Sequence, residues 1–353
     1  MEGREGAARA LWAAVLGGQA PATGPEAADL MGPAKRLARR LSPAWVASLL
    51  KQLTVDLAEA PKALLVARLT HAAQSEAMRL MAEAGLEPVA LKGFANAHAL
   101  YDDPVVRTSG DLDVLLRRDQ LAAVVDLFGK RGYGFAADGR RRWGFVSDAS
   151  FVPFFSPDGV CNIDLHVEAD SWPLHVGLPA DDVRAAARRV AYAHGTFLAP
   201  APEHALLIAV SNIAKDRFSA PTISKAIDLS RLLARRRGEL DWPEIEARSA
   251  RAALMPALRA TLALLMELGL SRELAPPALA RRPTGLAGQV FARVLADWLA
   301  VFPRDCGVAT LLTREALLAR EPSTVVALNL RRLRGLVRRG DGIPAEARLS
   351  PTT

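Results

Sequence analysis

Residues 160–168 alternate strictly between apolar and polar side chains, which is the pattern of a β-strand with two different faces. The apolar face carries Cys161, Ile163, Leu165 and Val167, and the polar face carries Asn162, Asp164, His166 and Glu168. In an ordinary half-buried strand the polar face would meet water. Here we expect it to face the acidic edge of a second strand.

That second strand is predicted at 111–116, and a third strand is predicted at 88–92. The strand at 88–92 is a short apolar run that ends in Lys92-Gly93, and the strand at 111–116 opens with two carboxylates one residue apart. Because side chains alternate along a strand, Asp111 and Asp113 project to the same side. The pattern therefore predicts an acidic edge on an otherwise buried strand.

Helical spacing of apolar residues predicts most of the remaining elements. Between and after the two strands, helices are predicted at 94–101 and 119–130, with a loop at 102–110 and a β-rich stretch at 133–155. That stretch is dense in aromatic residues, and we interpret it as core-packing strands rather than as a base-stacking surface.

Both ends of the chain are predicted to be helical. A helix is expected over 7–18, and a longer helical region runs from Ser42, a candidate N-cap, to Gly85, a candidate stop. Past Pro179 the chain is predicted to be mainly helical, with helices at 203–214, 222–235, 243–269, 286–301, 308–319 and 323–339.

These elements predict an α+β fold in which helical regions flank a small mixed-sheet core. The predicted boundaries are a helical N-terminal region at 1–86, an α/β core at 87–178, a helical C-terminal domain at 179–340 and a tail at 341–353. A helical domain placed against the core would form a cleft for a second substrate.

Three carboxylates, those of Asp111, Asp113 and Asp164, are expected to meet at the ends of adjacent strands. They would repel one another unless a cation lay among them, and oxygen ligands of this kind suit Mg²⁺ or Mn²⁺. Such ions promote in-line phosphoryl or nucleotidyl displacement. Glu168 is the rival third ligand, but it lies about 13 Å along the strand from Asp164, so both cannot serve one ion. We favour Asp164.

These motifs resemble a family of uncharacterised bacterial nucleotidyltransferases, a branch of the DNA polymerase β-type nucleotidyltransferase superfamily. The resemblance rests on Leu91-Lys92-Gly93, the helix at 94–101, Arg107, Asp111-Leu112-Asp113 and Ile163-Asp164-Leu165-His166. It continues more weakly through Glu203-His204-Ala205-Leu206-Leu207, Lys215 and Ile227-Asp228-Leu229, and it covers roughly residues 60–240. It implies that Asp111, Asp113 and Asp164 are the catalytic metal ligands.

The resemblance also implies that nucleotide phosphates contact Lys92, Gly93, Arg107 and Lys215. The superfamily usually carries Gly-Ser or Gly-Gly where its first strand turns into a helix, whereas Lys92-Gly93 is followed here by Phe94. The hydroxyl is therefore absent from this position, and Lys92 or Arg107 would supply the phosphate contact. Free backbone N–H groups at the helix start and the guanidinium of Arg107 both suit phosphate oxygens.

Two polar groups in the motif have ordinary structural interpretations as well. We interpret His166 as a hydrogen-bonded neighbour of the site, in preference to a phosphate ligand or a proton-transfer group. Lys215, in the segment Lys215-Asp216-Arg217, is equally typical of a polar helix end.

The net charge of +7 suits an anionic ligand, and arginines cluster at 140–142, 235–237 and 331–339. Runs of this kind commonly lie on solvated helix faces, so nucleic-acid binding is an alternative that we do not favour.

Only two cysteines occur, Cys161 and Cys306, which predicts neither a disulfide framework nor a zinc site and favours a reducing cytoplasm. The acidic residues Glu2 and Glu5 favour an N-terminal helix over a secretory signal, and no apolar run is long enough to span a bilayer.

The resulting hypothesis is a metal-dependent nucleotidyltransferase, with Mg²⁺ or Mn²⁺ as cofactor and an NTP, expected to be ATP, as substrate. It would move an NMP to an unidentified small molecule, peptide or protein and release pyrophosphate. One alternative is an inactive nucleotide-sensing or partner-binding protein of the same fold that docks through its arginine-rich C-terminal helices. The other is a nucleic-acid-binding protein that uses the same helices.

Overall fold

The computed structural model of the chain describes residues 2–17, 27–51, 57–135, 149–151, 153–302 and 306–337. Two compact units are found, one formed by Met1–Leu65 and Ala209–Val325 and the other by Val66–Ile208 and Val326–Thr353. The first unit is helical and the second contains the β-sheet, which confirms the predicted α+β class. The domain boundaries proposed from sequence stay predictions.

The helices, in chain order, are α1 (Glu2–Gly17), α2 (Ala27–Arg40), α3 (Pro43–Leu49), α4 (Ala60–Glu83), α5 (Lys92–Leu100), α6 (Leu121–Gly129), α7 (Leu174–Gly177), α8 (Ala180–Ala185), α9 (Pro202–Lys215), α10 (Thr222–Arg235), α11 (Trp242–Arg251), α12 (Met255–Glu267), α13 (Gly285–Leu299), α14 (Val308–Arg314) and α15 (Pro322–Val337). A π-helical turn, Glu315–Ala319, follows α14.

The strands are β1 (Val89–Ala90), β2 (Leu112–Leu115), β3 (Gly134–Phe135), β4 (Phe154–Phe155), β5 (Asn162–His166), β6 (Arg188–Tyr192) and β7 (Gly195–Ala199). They form one mixed sheet in the order β3-β4-β5-β2-β1-β7-β6. The central strand β2 pairs in parallel with β5 and antiparallel with β1. The strands predicted at 88–92 and 111–116 and the strand that carries Asp164 therefore lie side by side at the centre of the sheet.

The alternation in β5 has the predicted consequence. Ile163 and Leu165 are buried in the same core as Leu112 and Val114 of β2, and helices α4 and α6 supply further apolar side chains to that core. Burial of apolar surface on this face fixes the register, because a one-residue slip would turn every apolar side chain to the other face. The polar residues of both strands are thereby held together on the opposite face.

Two predicted helix ends are confirmed. The Ser42 hydroxyl accepts a hydrogen bond from the backbone N–H of Trp45 at 3.2 Å, so Ser42 is the N-cap of α3. Gly85 follows α4 with φ of 73°, and the N–H of Leu86 bonds the carbonyl of Met81 at 3.0 Å. A left-handed glycine that reverses the chain in this way ends the helix.

The predicted N-terminal helix is α1, which belongs to the helical unit. Its Trp12 is fully buried, packs against Trp298 with ring centroids 5.1 Å apart, and donates its indole N–H to the Trp298 carbonyl at 2.7 Å. A second buried anchor in this unit is Arg314, which pairs with Asp297 and donates to the Phe218 carbonyl at 3.0 Å. The indole hydrogen bond and the paired arginine satisfy the polar atoms that these large side chains bury.

The prediction of a mainly helical chain past Pro179 misses the hairpin of β6 and β7. Its five-residue strands pair antiparallel around a turn that ends at Gly195, whose φ is 122°. β6 is largely exposed, so its sequence lacks the clear alternation of a half-buried strand. The hairpin is fixed by tertiary pairing instead, because β7 lies parallel to β1.

The single helix predicted at 243–269 is two helices, α11 and α12. The chain turns between them at Ala253, where φ is 50°, and α12 begins with Pro256 in its first turn. Proline has no N–H to donate and its ring clashes with the preceding turn, so it begins a helix and does not continue one.

Some predicted features lie outside the described residues, namely the Arg140–Arg142 run, most of the tip of the 133–155 stretch and the tail at 341–353. Of the aromatic residues in that stretch, Phe151 and Phe154 are buried in the core of the sheet unit. No helix within the described ranges is both long enough and apolar enough to cross a membrane.

Helices α4 and α5 meet through a pair of histidines in an aromatic cluster. The Nε2 atoms of His71 and His98 are 3.0 Å apart, and the His98 ring also packs on Phe94, Tyr192 and Phe197. Burial, and then the neighbouring His71, lower the pKa of His98 to about 4. Burial also lowers the pKa of His71, although Asp103 opposes this.

We expect acid to weaken the fold through His98. In the unfolded chain His98 takes up a proton below about pH 6.5, whereas in the folded chain it takes up a proton only near pH 4. The contribution of neutral His98 to the free energy of unfolding is therefore complete above about pH 6.5 and is lost as the pH falls from about 6.5 to about 4. His98→Gln should therefore reduce the fall in melting temperature between pH 7 and pH 5 by about 2 °C or more. His194→Gln, which changes an exposed histidine, is the matched control. An unchanged pH dependence in His98→Gln would contradict the prediction.

Candidate active site

The site is built on the pairing of β2 with β5. In this parallel register Asp113 lies directly beside Asp164, with apolar neighbours Leu112 and Ile163 also paired. Residues paired across parallel strands project to the same face. The sheet therefore brings together two carboxylates that are 51 residues apart in the sequence (164 − 113).

His166 completes a cluster with these two aspartates. Asp113, Asp164 and His166 each offer one ligand atom, and these atoms all lie within 4.8 Å of one another. Asp113 and His166 are buried, and Asp164 is partly buried. Nε2 of His166 lies 2.8 Å from Oδ1 of Asp113 and donates to that carboxylate, while its Nδ1 is buried with no hydrogen-bond partner among the described residues. His166 is thus the hydrogen-bonded neighbour that its position suggested.

Asp113 is stabilised as a carboxylate by two donors on the same oxygen. Besides His166, the Nζ of Lys92 lies 2.5 Å from Oδ1. Burial alone would raise the pKa of Asp113, but Lys92 and His166 outweigh burial and hold it well below its usual range. The negative charge of Asp113 is therefore permanent at neutral pH.

Asp164 has the opposite environment. Burial and the nearby charge of Asp113 raise its pKa to about 6, and its Oδ1 is a buried acceptor without a hydrogen-bond partner in the described part of the chain. A buried, unpaired carboxylate oxygen beside a second carboxylate is costly unless a cation or a donor joins it.

Asp111 is held differently from the other two aspartates. Its Oδ1 accepts from the Ser109 hydroxyl at 3.2 Å, and it is not a member of the Asp113, Asp164 and His166 cluster. Burial raises the pKa of Asp111, and the negative charge of Asp113 raises it further because the two carboxylates repel each other. Its role as a metal ligand stays a prediction.

The turn from β1 into α5 supplies the groups expected to meet phosphate. Lys92 is the first residue of α5, and Leu91 before it gives no side-chain cap to the first turn. A Cβ placed on Gly93 would lie 2.1 Å from the Ser109 hydroxyl oxygen, 2.6 Å from Ser109 Cβ and 3.7 Å from Nη1 of Arg107. The structure thus brings Lys92, Gly93 and Arg107 together and places the loop at 107–109 against the helix start, while their contact with phosphate stays a prediction.

The donor set fits a hard divalent cation. Two carboxylates and an imidazole converge, Asp111 lies beside them, and the orphaned Oδ1 of Asp164 offers an acceptor with free lone pairs. Carboxylate oxygens are the ligands that suit Mg²⁺ and Mn²⁺.

Comparison with protein families identifies the chain. A model described as "Uncharacterised nucleotidyltransferase" matches residues 34–269, which is about two thirds of the sequence. The chain belongs to this family. The match includes all the candidate site residues, and it extends further at both ends than the roughly 60–240 over which the motifs were recognised. No curated protein and no solved structure matches the chain.

For this nucleotidyltransferase family member, sequence reasoning missed three residues that shape the site. Ser109 packs on Gly93, and Gln74 of α4 donates to the carbonyls of Ser109 and Asp111 at 3.2 and 3.1 Å. Asp170 is buried, and its charge helps to raise the pKa of Lys92 against the effect of burial. Ser109 and Asp170 stand within a few residues of the motifs, but only the folded chain turns them toward Gly93 and Lys92.

Two further residues considered as site residues lie outside the cluster of Asp113, Asp164 and His166. Glu168 accepts a hydrogen bond from the Ala180 N–H at 3.0 Å, so it holds the start of α8. Lys215 is the last residue of α9 and belongs to the helical unit, and its predicted phosphate contact stays a prediction.

We expect Gly93→Ala to lower the free energy of unfolding by about 1–3 kcal/mol, the usual range for overpacking. The added methyl group would meet Ser109 Cβ at 2.6 Å, a contact that rotation of the hydroxyl cannot relieve. The double variant Gly93→Ala/Ser109→Gly should recover part of the loss in urea unfolding. Gly110→Ala, where a Cβ meets nothing within 4 Å, is the control. Equal stabilities for Gly93→Ala and Gly110→Ala would refute this packing.

Proposed function

We propose that the chain is a metal-dependent nucleotidyltransferase that transfers an NMP from an NTP to an acceptor and releases pyrophosphate. The observation that carries this proposal is the pairing of Asp113 with Asp164 on one sheet face, with His166 within 4.8 Å of both. A module that only binds a partner has no need to gather carboxylates whose charges repel.

The residues have distinct roles in this proposal. Asp111, Asp113 and Asp164 would hold Mg²⁺ or Mn²⁺, which when bound neutralises charge on the triphosphate and the leaving pyrophosphate. Lys92, Gly93 and Arg107 would contact the phosphates. The acceptor hydroxyl loses its proton to water and its oxygen forms a bond to the α-phosphorus, while the bond from that phosphorus to the bridging oxygen of the β-phosphate breaks and pyrophosphate leaves. Asp164 would orient the acceptor hydroxyl.

We propose ATP as the nucleotide and a small molecule, a peptide or a protein side chain as the acceptor. The two free cysteines, Cys161 and Cys306, support a cytoplasmic setting.

Calorimetry with a panel of NTPs tests the site. We expect binding only when Mg²⁺ or Mn²⁺ is present, and we expect Asp164→Asn to weaken it by at least about tenfold, because it removes a charged ligand. Asp113→Asn should have a similar effect. An α-labelled NTP that binds in this way would then be used to search for the acceptor.

The controls separate loss of the site from loss of the fold. Asp126→Asn changes an exposed carboxylate on α6 in the same unit and should leave nucleotide affinity unchanged. Asp164→Asn is the cleaner site variant, since Asp113→Asn also leaves Lys92 without its partner. If NTPs bind equally with and without metal, or do not bind, the proposal that this site catalyses nucleotidyl transfer is wrong. The partner-binding alternative would then be preferred.

A further inference from the structure

We propose that Lys92 couples metal binding to nucleotide binding: its ammonium group neutralises Asp113, gives way when a divalent cation takes that carboxylate, and then contacts the triphosphate. This inference rests on the proposed function, because it assigns a second position for Lys92 within the same site. It makes Lys92 a competitor of the bare metal and a partner of the nucleotide.

The competition follows from the contacts of a single oxygen atom. Oδ1 of Asp113 receives Lys92 Nζ at 2.5 Å and His166 Nε2 at 2.8 Å. A carboxylate oxygen has two lone pairs, so these two donors saturate it. A cation that reaches this oxygen must displace one donor, and a cation on the other oxygen still lies close enough to the ammonium charge to be repelled.

Of the two donors, Lys92 is the one suited to move. Its side chain is 25% exposed, whereas those of His166 and Asp113 are 5% and 4% exposed. A lysine ammonium sits on a flexible four-carbon stem, while the imidazole of His166 is fixed within the core. Lys92 can therefore leave Asp113 on the solvent side without disturbing the sheet.

The backbone at Lys92 indicates that its side chain matters. Its φ of 48° lies in the left-handed region, which a residue with a Cβ adopts at a cost and glycine adopts freely. A glycine at this position could start α5 in the same conformation without that cost, so the turn itself does not require a lysine. Strain of this kind is common where a side chain must be held at a functional site.

The charges near Lys92 explain why this coupling would favour the metal–nucleotide complex. The negative charges of Asp113, Asp170 and Asp111 all act on the ammonium group of Lys92. Without a positive group among them these carboxylates would repel one another. A metal ion that enters together with a triphosphate replaces the positive charge on Asp113 and simultaneously offers Lys92 new anionic oxygens, so the metal–nucleotide complex is favoured over the bare metal.

Binding of Mn²⁺ alone, and of Mn²⁺ with an ATP analogue whose α,β-bridge cannot be cleaved, tests this coupling by calorimetry on the full chain. We expect Lys92→Met to bind bare Mn²⁺ at least about tenfold more tightly and the Mn²⁺–analogue complex at least about tenfold more weakly, since close charge pairs have coupling energies of this size. Changes in opposite directions are not expected from a general loss of structure. Lys92→Gly, which removes the ammonium and relieves the backbone, should behave in the same way if Lys92→Met folds poorly.

Lys130→Met, which removes an exposed lysine from the same unit, controls for a simple change in net charge and should alter neither affinity. If the unmodified chain binds the Mn²⁺–analogue complex through Asp164 but the Lys92 variants bind bare Mn²⁺ no more tightly, the coupling is wrong and the proposed function stands. If the unmodified chain binds neither Mn²⁺ nor the complex, both are wrong.

Discussion

The sheet unit depends on one electrostatic constraint, the enclosure of Asp113 beside Asp164. The parallel register of β2 and β5 forces the two carboxylates together, and their repulsion must be offset within the fold. Lys92 and His166 offset it at Asp113, since both donate to the same oxygen. The apolar core on the opposite face prevents the strands from slipping out of this register, so hydrophobic packing maintains an arrangement that the charges alone would oppose.

The two aspartates of the cluster consequently differ, although they are chemically identical. Asp113 is paired and remains ionised, whereas Asp164 has a raised pKa and an unpaired buried oxygen. Neighbouring carboxylates held in different environments are typical of functional sites. The loop at 107–111, tied to α4 by Gln74, adds Asp111 beside this pair and sets the Ser109 hydroxyl against the start of α5.

The sequence predicted the parts of this site that are local. Alternation placed Asp164 and His166 on one face of a strand, and the spacing of Asp111 and Asp113 placed both on one side of another. That these two strands would meet was expected, but the individual hydrogen bonds between distant segments were not predictable from periodicity. The hydrogen bond from His166 to Asp113 spans 53 residues and that from Gln74 to Asp111 spans 37. The β6–β7 hairpin was not predicted for a related reason, since an exposed strand is fixed by pairing with its partner strand and not by its own sequence pattern.

That hairpin also affects how the sheet ends. Within the described residues β6 is the last strand of the sheet, so one side of its backbone has no neighbouring strand. Such an edge can recruit a strand from another molecule and begin aggregation. Arg188 and Arg189 are exposed on β6, and exposed charged side chains of this kind disfavour pairing at a sheet edge. The chain thereby completes its sheet beyond β1 without offering an apolar edge to its neighbours in a concentrated solution.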